Sequence, residues 1–106
     1  MWYVNKNDLQ MCEADFGLEL PIVIEGVTFS ENDEVKITIK KTENGTAVLT
    51  KTFSNITQNT VHLEITEAES ELLKVGSYVY SLDWYQNNAF MCNIIPCSAF
   101  KVVDKA

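Results

Sequence analysis

In VKITIKK, residues 35–41, the branched aliphatics Val35, Ile37 and Ile39 alternate with Lys36, Thr38 and Lys40. A period of two puts every apolar side chain on one side of an extended chain, which a helix with its period of about 3.6 cannot do. The segment reads as a strand with one buried face.

The same period recurs along the chain. In LELPIVIE, Leu18, Leu20, Ile22 and Ile24 fall on one parity, against Glu19, Pro21 and Glu25, with Val23 the apolar exception. Pro21 has no N–H to give a ladder, so this strand is expected at a sheet edge. VHLEI turns Val61, Leu63 and Ile65 inward and His62 and Glu64 outward. SYVYSLDWY gives Tyr78, Tyr80 and Leu82 one parity and brings Trp84 onto that face near the strand's end. AFMCNII and SAFKVV form a last strand, bent or interrupted at Pro96. Turns are read at SENDE, at QNN and at Asn44-Gly45, whose residues tolerate the positive φ of a two-residue hairpin leading into AVLTKTF. TEAESELLKVG is the exception to the alternation. Thr66 and Glu69 have the spacing of a capping box, Leu72 and Leu73 would fasten a short helix over the core, and Gly76 would end it. The expected fold is all-β: a β-sandwich of about seven strands, with one short helix between the fifth and sixth, in a single domain over residues 1–106.

With 106 residues the chain suffices for one core. A net charge of −7, with scattered lysines and no arginine, argues against nucleic acid and against anionic membranes. The N-terminus MWYVNKNDLQ lacks a basic segment followed by an apolar one, and no apolar run approaches the roughly 20 residues of a membrane span, so a soluble cytoplasmic product is expected. Cys12, Cys92 and Cys97 cannot all pair within one chain and are expected to be reduced, as small buried hydrophobes. The sequons at Asn44 and Asn55 carry no meaning without secretion.

No residue set points to catalysis, to a metal or to a cofactor. His62 is the sole histidine and sits on an outward parity, which leaves a Ser-His-Asp or Cys-His site nothing to work with. CNIIPC is wider than the spacing of a redox or zinc pair, with a Cys92–Cys97 disulfide across a bulge the less favoured alternative to two thiols. ENDE and EAESE lack the ligand spacing of a calcium loop. A non-enzymatic protein is expected. Aromatic residues outside the core pattern offer an interface instead: Trp2 and Tyr3 as either a capping first strand or an arm for a neighbouring subunit, and Trp84 and Tyr85 beside the QNN turn. Trp84, Tyr85 and Trp2 would also suit a carbohydrate- or ligand-binding module, as a platform for sugar rings.

The segment LLKVGSYVYSL, with a leucine pair, Gly76, Tyr78 and Tyr80, resembles the tyrosine corner of immunoglobulin-like sandwiches. Together with Asp33, Val35, Ile37, Ile39 and Lys40 in the earlier strand, and Leu73 and Leu82 in the later one, it is similar to small immunoglobulin-like proteins of phages and prophages, in particular to the N-terminal domain of phage baseplate upper proteins. The resemblance runs from about Leu9 to Val103. It implies an immunoglobulin-like fold, a corner hydrogen bond from Tyr78 and a structural role in a tail or baseplate. The partners it implies are other phage structural proteins or further copies of this chain, and it implies a product made in the bacterial cytoplasm and incorporated in a phage particle.

Overall fold

The structure, a computed structural model, describes residues 2–104. Eight strands and one helical turn follow one another: β1 (Tyr3–Asn5), β2 (Asp8–Cys12), β3 (Glu19–Val23), β4 (Asp33–Lys40), β5 (Ala47–Ser54), β6 (Thr60–Glu64), α1 (Glu67–Ser70), β7 (Gly76–Gln86) and β8 (Ala89–Val103). The all-β expectation holds. The count exceeds the expected seven because residues 3–12 form a hairpin, β1–β2, whose second strand is not among those expected, so α1 falls between the sixth and seventh strands.

β4 shows how the sequence builds the sheet. Its odd residues Asp33, Val35, Ile37 and Ile39 are buried and its even ones half-buried. It lies between β5 and β7 in a six-stranded sheet of order β1-β2-β8-β7-β4-β5. Ile37 faces Leu82 of β7 and Ile39 faces Tyr80, so the two apolar faces coincide. β2 joins the same sheet parallel to β8, with Leu9 opposite Phe100. β3 and β6 pair in a second, two-stranded sheet, where Pro21 lies opposite His62 on a strand with no neighbour on its other side. Val61 and Leu63 of β6 join Ile37, Tyr80, Leu82 and Phe100 in one hydrophobic cluster, so the two sheets share a core.

Several local expectations change. The Asn44-Gly45 hairpin is instead a six-residue connection in which Gly45 N–H donates to the Thr42 carbonyl at 3.0 Å, and neither Asn44 nor Gly45 has positive φ. Positive-φ pairs stand instead at Asn87-Asn88, +50° and +66°, closing the β7–β8 hairpin between Gln86 and Ala89, and at Gln58-Asn59, +54° and +52°, between the bridged Thr57 and Thr60. The capping box at Thr66 and Glu69 is present, but α1 ends after one turn on Glu71 in ordinary helical conformation. Gly76 therefore opens β7 and does not end the helix. Leu73 is fully buried whereas Leu72 is exposed; both follow α1, and only Leu73 turns to the core. Leu18 is likewise exposed, since β3 begins one residue after it. β8 runs unbroken through Pro96 but slips in register against β7 between Tyr80 and Leu82, between Leu82 and Asp83, and between Trp84 and Tyr85.

Candidate functional site

The corner residues lie where β7 begins. Tyr78 Oη donates to the Lys74 carbonyl at 2.8 Å, tying the strand to the connection before it. Gly76 supplies space: a Cβ there would come within 2.7 Å of Lys41 Nζ, and that ammonium sits 4.4 Å above the Tyr78 ring. Tyr80, one step further along the buried face, donates its hydroxyl to the Asn7 carbonyl in the β1–β2 turn. Burial, with the Asp8 carboxylate adding to it, pushes the Tyr80 phenol up to about 12.

The four candidate interface aromatics separate into two kinds. Trp2 packs edge-on against buried Phe100, centroids 5.9 Å apart, and its Nε1–H donates to the Leu18 carbonyl at 3.0 Å. It spans from the large sheet to the entry of β3, while its neighbour Tyr3 is 63% exposed. Trp84 meets Phe29 edge-to-face at 6.0 Å and is half-buried, its indole nitrogen wholly so. Trp84, which shares the parity of Leu82, thus takes part in internal packing. Tyr85, on the opposite face, lies under Lys36 Nζ at 4.4 Å and against Phe90 at 5.7 Å. Its ring is already covered on two sides, whereas Phe90 is 54% exposed. Trp84 and Tyr85, adjacent in β7, thus face opposite sides of the sheet.

Asp33 and Lys51 are charged groups on the core side of their strands. Asp33 is 1% exposed, and its Oδ2 accepts from Ser30 N at 2.7 Å and from Ser30 Oγ at 3.2 Å. The Ser30 backbone bond outweighs the opposing effect of burial and, with help from Trp84, the Ser30 hydroxyl and Gln86, holds the carboxyl below its ordinary 3.8. Asp33 Oδ1 and Trp84 Nε1 are both buried without a hydrogen bond of good geometry, so the indole N–H acts on the carboxylate as a nearby dipole. Lys51 shares the parity of Leu49 and Phe53. Its Nζ reaches the Glu64 carbonyl at the end of β6 and Glu69 Oε1 at 2.8 Å in α1. Burial would raise the Glu69 pKa, but Lys51 and the Thr66 cap overcome it and leave the carboxyl below 4.5. In both cases the available signal was a charged residue on an inward parity.

His62 is exposed, with Nδ1 3.0 Å from Glu19 Oε1 across the β3–β6 pair. Among the described residues no group of three or more His, Cys, Asp or Glu side chains is placed to hold a metal ion, and no helix is long and apolar enough to cross a membrane. The three cysteines are free thiols, but the expectation of burial fails: Cys92 and Cys97 are exposed and Cys12 half-buried. The first two lie on the part of β8 that β2 does not flank. On the outer face of β4, β7 and β8 lies a shallow concavity of about 550 Å³, lined by residues including Thr38, Lys40, Ser81, Asn93 and Cys97. At one side of it, Asn93 Nδ2 and Ser81 Oγ both donate to Asp83. No protein-family model, curated protein or solved structure matches the chain.

Proposed function

We propose that this chain is a non-enzymatic structural component of a phage or prophage particle, built as an immunoglobulin-like sandwich and acting in a tail or baseplate through protein–protein contacts. The observation that carries this reading is the placement of the two sequence motifs behind the resemblance. Val35, Ile37 and Ile39 of the first and Tyr78, Tyr80 and Leu82 of the second fall on the neighbouring strands β4 and β7, all on the buried face. The parallel pairing of β2 with β8 and the Tyr78–Lys74 hydrogen bond at the corner support the immunoglobulin-like part of the reading. The exposed apolar side chains of Tyr3, Phe90 and Met91 favour contacts with protein.

Mass spectrometry of intact phage particles induced from the source strain tests the proposal. The chain is expected in the particle at a fixed ratio to tail proteins, and its consistent absence from particles that do contain their tail proteins would sink the reading.

A further inference from the structure

The N-terminal hairpin has a geometry that two copies can share. β1 is an edge strand of the large sheet, paired with β2, and all three of its residues are exposed. The loop between them is two residues long, Lys6-Asn7, and Lys6 stands at φ +57°. Two-residue hairpin loops place glycine or asparagine at positive φ, because a Cβ is strained there. Lysine has no such tolerance, so the closed turn carries strain at its hinge. Beside the arm a groove of about 250 Å³, lined by residues including Val4, Leu9, Leu20, Val23 and Ile95, stays open. The arm fills it poorly, which lowers the cost of lifting residues 2–5 away.

What holds the arm is its far end, where Trp2 packs on Phe100 and donates to the Leu18 carbonyl. The hinge itself is fixed on its β2 side by the Tyr80 hydroxyl on the Asn7 carbonyl. The hairpin pairs are Tyr3 with Gln10, Val4 with Leu9 and Asn5 with Asp8, all centred on the Lys6–Asn7 bond. A two-fold axis through that centre reproduces the same register between two chains. If the hinge straightens, β1 and β2 become one strand that lies antiparallel to its counterpart. Every pair is then re-formed in trans, Lys6 and Asn7 gain pairs of their own, and the positive φ is relieved.

We propose that this chain forms a two-fold dimer by exchanging its N-terminal arm, residues 2–5, across the Lys6-Asn7 hinge, so that Trp2 docks against Phe100 and Leu18 of the second copy. Short strained hinges favour such exchange. The loss of translational freedom and the net charge of −7 on each copy oppose it, so the dimer grows with concentration and with ionic strength. The inference stands apart from the phage reading and does not require it.

Light scattering of the intact chain over a concentration series, at low and high salt, is the first measurement. A monomer–dimer equilibrium that shifts toward dimer with both variables is expected, and a monomer throughout overturns the proposal. The hinge is then varied. Lys6→Asn with Asn7→Gly removes the strain of the closed turn and is expected to weaken dimerisation about fivefold or more. A dimer unaffected by that change forms through another surface, which also overturns the proposal. Tyr3→Cys with Gln10→Cys, in a background with Cys12, Cys92 and Cys97 changed to serine, identifies the exchanged strand directly. On oxidation of the dimer fraction, non-reducing mass analysis is expected to show covalent dimers; any other product there, whether intrachain links alone or no link at all, counts against arm exchange.

Discussion

Asp33 keeps a negative charge on the buried side of β4 because Ser30 presents both its amide and its hydroxyl to one carboxylate oxygen. Hydrogen bonds to the ionised form offset desolvation, which is why the pKa falls although burial alone would raise it. A carboxyl whose folded pKa lies below its unfolded value contributes stability that is complete above about 3.8 and is lost as pH falls through the folded value. Asp33→Asn is therefore expected to lower the urea midpoint at neutral pH, with the gap from the native chain narrowing at a pH below 3.8. An equal gap at both pH values would show that the charge contributes nothing. Tyr80 has the opposite sign. Its phenol is raised to about 12, so its neutral form supports the fold fully below 10, and that support is lost as pH rises through 12.

At the scale of elements, Lys51 links three pieces of chain. It projects from β5 on the core side, opposite Ile37 of β4 in register, yet ends on the carbonyl that closes β6 and on the carboxylate that caps α1. Its stem covers apolar surface while its ammonium satisfies acceptors at the rim. Lys51→Met keeps the stem and removes the charge, and is expected to cost about 1–2 kcal/mol in chemical denaturation. Glu69→Gln on top of it should cost less than Glu69→Gln alone, since the partner is already gone. Elements also differ in how far they could be read from sequence. β4, β6 and β7 were legible because an apolar parity runs their full length. β2 was not, since DLQMC offers only Leu9 and Met11 as inward residues and its pairing with β8 is long-range. Asn44-Gly45 has no positive φ because the β4–β5 connection has six residues and needs no left-handed pair, whereas Asn87-Asn88 and Gln58-Asn59 each close a turn in two residues.

The whole molecule rests on one cluster drawn from both sheets, in which Leu82 is fully buried beside Ile37. Leu82→Ala is expected to destabilise the fold by about 2–5 kcal/mol while unfolding remains a single transition, because the buried hydrophobic residues described in both sheets belong to one cluster. Two transitions by far-UV circular dichroism would contradict a shared core. Alternation by itself determined that the chain is all-β, which residues of β4, β6 and β7 face inward, and that Tyr78 and Tyr80 are core, because side-chain parity is a local property of an extended backbone. The tertiary structure alone decided the fate of Trp2 and Trp84, the exposure of Cys92 and Cys97, the buried charge of Asp33 and the reach of Lys51. Each of these depends on which strand lies alongside and where its register slips, and that information sits in pairs of residues far apart in the chain.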